Sequence, residues 1–299
     1  MKRNSLLRGK RAYKKGCIRA AVQSHATTIL MLLFVLLVAA ATGCSAAQSS
    51  GGADAESKTQ AAAQQEPSTL RIMSAASLKD VLQHLAPDFE AGENARIIFN
   101  FASSGDLQVQ IEQGAPADLF ISAGKKQVDT LEQKGLLQAG TRVDLLANDL
   151  VVIVPEENRA MAGGIEDLVR NAQIEKVAIC IPEASPAGKY AQEALVTAGI
   201  WSDIQPKLVM AKDVRQIVTY VETGNVDAGL VYRSDANVST AARIALVIPA
   251  EFHSPIVYPA AVLKNAGSTA LAARFIEYLA EEEPSQAFKE YGFKVLREQ

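Results

Sequence analysis

Cysteine, histidine and basic charge are all scarce in this chain. Its 299 residues include three cysteines and three histidines, and 30 Lys and Arg stand against 33 Asp and Glu, for a net charge of −3. Cys17 and Cys44 fall in the N-terminal stretch, which leaves Cys180 alone in the apolar run Val177 to Ile181. That pattern excludes a disulfide framework or a zinc site and reads as a buried structural thiol. Of the histidines, His25 precedes the body of the chain, His84 adjoins Leu85 on a helix surface and His253 sits in a loop beside Phe252 and Pro255. No G-x-S-x-G elbow accompanies any serine, so a hydrolase would lack both its base and its strained nucleophile turn. The chain reads as no enzyme, and nothing implies a metal, nucleotide or redox cofactor.

The apolar run Ile29 to Ala41 is also short, below the roughly 20 residues that span a bilayer. Eight basic residues, from Lys2 to Arg19, precede it with no acid among them, and Ala41-Thr42-Gly43-Cys44 follows. This is the pattern of an export signal over residues 1–43 with a lipobox whose Cys44 becomes the lipid-bearing first residue. Without those eight charges the remaining chain carries about −11, which argues against a nucleic-acid partner. Ser45 to Ser68 is poor in bulky apolar residues and reads as a flexible tether. As a random coil of 24 residues it would span roughly 25 to 30 Å. Exported, anchored and tethered, the protein is expected outside the cytoplasmic membrane, on a Gram-positive surface in preference to the periplasm of an outer-membrane-bearing cell.

What the chain does have is one local arrangement repeated four times. In Phe101 to Ala123 a strand meets Ser103, Ser104 and Gly105, which open an amphipathic helix. Leu70 to Met73 meets Ser74 to Ser77 in the same way, with Leu78, Val81, Leu82, Leu85 and Phe89 on one helical face. A third copy puts Pro186, Ala187 and Gly188 at a helix start behind Ile181, and in a fourth Asp213 caps a helix with Val214, Ile217, Val218 and Val221 on its apolar face. A helix start leaves backbone N–H groups unpartnered, so four of them suggest several N-termini converging on one anion. A fully ionised tetrahedral oxyanion such as sulfate only accepts hydrogen bonds, and hydroxyls with amides are a sufficient donor set. Phosphate retains a proton that calls for an acidic acceptor. The only carboxylates beside these loops, Asp106 and Asp213, fit helix starts instead.

The motifs SAASLKD, FASSGDL, GAPADLFISA, SPAGKYAQEAL, KDVR, GLVYRSDA and FKEYGFKVL, in that order from about Leu70 to Leu296, closely resemble the molybdate-binding proteins of bacterial ABC transporters. The resemblance implies an α/β fold of the type II periplasmic binding protein class, two lobes joined by two hinge crossings. It implies oxyanion contacts from Ser77 and Ser104 through hydroxyl and backbone, from Ala187 and Val214 through backbone N–H, and from Tyr232 through its hydroxyl. Molybdenum would be held only as the oxyanion. Gly105 stands where many members have a third serine. Implied partners are molybdate or tungstate, a permease with its ATPase, and the membrane through the anchor, for a monomer. Another tetrahedral oxyanion such as sulfate, or an organic acid paired with Arg215, is the alternative.

About 230 residues of alternating strand and helix imply a parallel α/β architecture. The first lobe is expected over 69–149 and 255–299 and the second over 150–254, the chain crossing near Leu150 to Pro155 and recrossing near Pro255 to Leu263. Asp118 and Asp227, each between a glycine-ended helix and a buried strand, suggest corresponding elements of the two lobes.

Overall fold

The computed structural model describes residues 66–158 and 164–296. The export signal, Cys44 and the tether as far as residue 65 lie outside them. In the first part of the chain β1 (Ser68–Ala75) passes through a 3-10 turn into α1 (Lys79–Glu93), β2 (Ala95–Ala102) into α2 (Ser104–Glu112), and β3 (Leu119–Ile121) into α3 (Lys125–Gln133) and β4 (Val143–Ala147). The middle part runs β5 (Leu150–Pro155), α4 (Asp167–Arg170), β6 (Val177–Cys180), α5 (Pro186–Thr197), α6 (Trp201–Ile204), β7 (Leu208–Ala211), α7 (Val214–Glu222), β8 (Ala228–Tyr232), α8 (Arg233–Asn237) and β9 (Ala242–Val247). The last part is β10 (Val257–Val262), α9 (Thr269–Tyr278), α10 (Glu282–Glu290) and β11 (Lys294–Val295). Ser68 already pairs with Ala95, so the last residue of the segment read as tether is strand.

These strands form two sheets, ordered β11-β4-β10-β3-β1-β2 and β7-β6-β8-β5-β9. Each defines one lobe, and the chain passes between them at Asn148–Asp149 and again between β9 and β10. The central strands are apolar on both faces, as in VVIV of β5 and VAIC of β6, because helices cover the sheets. The α7 helix shows the complementary pattern, burying Val214, Ile217, Val218 and Val221 along one stripe.

The sheets are mixed, which corrects the expectation of parallel ones. β1 is parallel to β2 and β3, and β6 to β7 and β8, but β10 runs antiparallel to β3 and β4, and β5 to β8 and β9. The crossings explain this. β1, β2, β3, β6, β7 and β8 all end toward the other lobe, whereas β5 and β10 have just come from it and must run the opposite way. Leu150, the first residue of β5, accordingly lies beside Tyr232, the last of β8.

Candidate anion site between the lobes

Because strands of both lobes end facing each other, the helix starts that follow them meet. Ser77 lies in the 3-10 turn after β1, Ser104 is the first residue of α2, Ala187 and Val214 open α5 and α7, and Tyr232 ends β8. All five are buried and line one cavity, together with Ala75, Ala76, Ala102, Ser103, Ala123, Ser185, Pro186 and Asp213. Its volume is about 10 Å³, room for about one water molecule, so a five-atom tetrahedral anion requires the walls to part slightly. Among the described residues no lysine, arginine or histidine reaches its lining.

Local chemistry determines which donors remain available. Ser103, not Ser104, caps α2, its Oγ accepting from the Asp106 N–H at 3.2 Å. Ser104 Oγ accepts from the Ala123 N–H at 2.9 Å and keeps its own proton for the cavity. Asp213 caps α7 by accepting from the Gln216 N–H at 2.9 Å, which leaves the Val214 N–H without an intrahelical partner. In α5 the first residue is Pro186, which has no N–H, so the Ala187 amide is the first donor of that helix. Gly188 follows because a Cβ there would stand 2.3 Å from the Cys180 carbonyl oxygen, where the helix is seated on β6. Burial pushes the Tyr232 hydroxyl well above its ordinary pKa, so it stays a proton donor.

Several contacts span the lobes. Ser103 Oγ donates to the Ala184 carbonyl at 3.0 Å, and Tyr232 Oη reaches the Ala123 carbonyl at 3.5 Å. Within the first lobe Ser77 Oγ hydrogen-bonds with Tyr258 Oη at 3.0 Å, and Asn148 Nδ2, at a crossing, donates both to that Tyr258 Oη (3.4 Å) and to Ser234 Oγ of the second lobe (2.9 Å). At the same crossing Asp149 holds Arg233 of one lobe and Lys294 of the other. Burial alone would raise its pKa, but these two hydrogen-bonded cations bring it below the ordinary value. Gly105 faces the Ala184 carbonyl so closely that a Cβ would stand 2.1 Å from its oxygen. A larger gap of about 400 Å³ shares Ser185 and Pro186 with the cavity, and Lys125, Lys126 and Lys189 line it beside Glu183 and Glu193.

A family model described as bacterial extracellular solute-binding protein matches residues 70–294. The chain belongs to the bacterial extracellular solute-binding proteins. Within this family it is 39% identical over 239 residues to the Bacillus subtilis (strain 168) lipoprotein YvgL, assigned as an ABC transporter substrate-binding protein, spanning 79% of this chain and 91% of that one. It is 36% identical over 229 residues to the molybdate-binding protein ModA of Escherichia coli (strain K12), spanning 76% and 89%. Among solved structures, the substrate-binding domain of a transporter assigned to molybdenum from Clostridium difficile superposes with a TM-score of 0.61 at 38% identity, covering 77% of this chain and 99% of that one.

For a solute-binding protein the histidines are placed as expected, His84 exposed and packed near Tyr291, His253 near Tyr190, neither on the cavity. Cys180 is buried, and burial drives its thiol pKa up. Asp106 is exposed away from the cavity, whereas Asp213 lines it as well as capping α7. Sequence reasoning missed Tyr258 and Asn148, which tie Ser77 to the crossings, and the ion pair that Arg215 makes with Asp80. The only available signal was their place in or next to the crossing segments and the helix starts.

Proposed function

We propose that this protein captures molybdate, and tungstate with it, between its lobes and delivers it to an ABC permease. One observation carries the reading: serine hydroxyls, a tyrosine hydroxyl and the first free amides of two helices converge on a cavity that no basic side chain among the described residues lines. Such a set completes a fully ionised oxyanion that offers only acceptors, and helix dipoles supply the compensating charge. The names of the relatives support molybdate over sulfate. An organic acid is disfavoured because Arg215, which would receive its carboxylate, is engaged by Asp80. Ligand contacts come from both lobes, so binding selects the closed arrangement through differential contacts, and that shape is what a permease reads. The lysines at the mouth assist capture of a dianion by an otherwise acidic protein. Cys44 as the lipid-bearing residue of a cell-surface monomer completes the proposal, and the naming of YvgL as a lipoprotein supports it. No step in this role requires catalysis.

Calorimetric titration with molybdate, tungstate, sulfate and phosphate at one pH and salt concentration tests it. Tight binding of the first two, with the others far weaker, is expected. Binding of sulfate alone, or of none, would refute the assignment and leave the fold standing.

A further inference from the structure

Arg215 occupies a place that helix stability does not explain. It is the second residue of α7, where the positive end of the helix dipole disfavours a cation. Its amide follows that of Val214, which faces the cavity. The guanidinium pairs through Nη2 with Asp80, in the first turn of α1 and so in the other lobe. Through Nη1 it lies 3.8 Å from Asp235 of α8, in its own lobe. The two carboxylates differ in setting. Asp80 is 39% exposed and Asp235 is fully buried, with neither oxygen in a hydrogen bond among the described residues. A buried carboxylate left in that state is costly, and a bidentate arginine is the partner that relieves it.

We infer that Arg215 is a positioning residue that exchanges partners as the lobes move: it pairs with Asp80 when they meet and turns fully to Asp235 when they part. Asp235 belongs to the lobe of Arg215 and is always within reach, whereas Asp80 arrives and leaves with α1. Closure therefore gains one ion pair across the cleft and weakens another beneath it. The two acids act with opposite sign on the same equilibrium. Asp80 favours the closed state and Asp235 the open one, so the gap between them sets how much of the anion's binding energy closure consumes. This rests on the oxyanion-binding reading only for its ligand.

The test is the full-length protein titrated with sodium molybdate. Asp80→Asn should weaken affinity about tenfold and Asp80→Glu should recover most of it, while Asp235→Asn, which keeps the buried shape, should raise affinity several-fold. Opposite signs are the signature, because a merely structural role would lower affinity in both variants. Amide hydrogen exchange without any oxyanion reads the same equilibrium: the first turns of α1 and α7 should exchange faster in Asp80→Asn and slower in Asp235→Asn. Changes of the same sign in both variants, or no change in either, overturn the inference. Failure of the parent protein to bind molybdate would refute the ligand instead, and exchange would then decide the role of Arg215.

Discussion

The two lobes are variants of one plan. In the first, β3-β1-β2 stand side by side with β10 antiparallel to β3; in the second, β8-β6-β7 stand the same way with β5 antiparallel to β8. Asp118 Oδ2 accepts the Arg71 N–H at 2.7 Å, and the Asp118 N–H returns to the Arg71 carbonyl. Asp227 Oδ2 does the same with the Lys176 N–H at 2.8 Å and the Lys176 carbonyl. Ser77 and Ala187 therefore occupy matching helix starts, as do Ser104 and Val214. The lobes differ in what they present there. The first adds two serine hydroxyls to the amides of its helix starts, while the second offers backbone amides and one tyrosine hydroxyl. Amides are fixed by the helix and survive any substitution that keeps it, whereas hydroxyls can be deleted one at a time. The second lobe is thus the less adjustable wall of the cavity and the first the more adjustable one.

Two glycines at helix starts test that contrast most severely. Gly188→Ala pushes a methyl against the Cys180 carbonyl within a single lobe, and neither backbone can rotate away. A loss of about 3 kcal/mol of stability, at the upper end of overpacking costs, is expected in thermal or denaturant unfolding. Gly105→Ala puts its methyl against Ala184 across the cleft, where the lobes can separate instead. Its unfolding should stay near that of the parent while molybdate affinity falls about tenfold, roughly 1.4 kcal/mol. Equal losses of stability in the two variants would show that the lobes do not move as units.

Donor deletion sharpens the comparison on a smaller scale. Tyr232→Phe removes one hydroxyl from a charged ligand and should cost about 1.5 to 3 kcal/mol of binding by calorimetry. Ser104→Ala should cost as much affinity and also some stability, because it strands the buried Ala123 N–H as well. Retention of parental affinity in both variants would show that the ligand sits elsewhere.

How much of this was legible follows from its physical range. Short-range signals read correctly: the cap of Asp213, the stripe of α7 and the buried strand around Cys180 all depend on residues within a few positions of each other. The repeated strand-to-serine or strand-to-small-residue turns identified the helix starts, and the structure brings all five expected residues to one cavity. The antiparallel strands were not read, because direction within a sheet depends on where the chain re-enters a lobe and leaves no mark on composition. Nor was the pairing of Arg215 with Asp80, residues 135 positions apart that meet only through the packing of two lobes. Gly105 was seen as a departure from a serine pattern, and only the approach of Ala184 gives it a reason.

The smallest expected effect concerns charge beneath the second lobe's wall. Burial raises the Asp235 pKa to about 7, against the opposing pull of Arg215, from 3.8 for an ordinary aspartate. The other groups whose charge bears on this pocket are Asp213 from the α7 cap, Tyr232 from β8, Tyr258 from β10 and Cys180 from β6. None of the last three ionises below neutral pH, since burial raises each. Between those two values the folded chain holds a proton that the unfolded chain has released, so stability from this group is greatest below about pH 4 and declines as pH rises toward 7. Asp235→Asn abolishes that dependence. The variant should therefore gain thermal stability relative to the parent on going from pH 5 to pH 8, by a few degrees. No equivalent buried acid without a hydrogen bond lies behind the first lobe's wall among the described residues, so Asp80→Asn should leave the pH profile of unfolding unchanged. An unchanged profile in Asp235→Asn would mean that Asp235 is ionised throughout and that Arg215 compensates it fully even in the closed state.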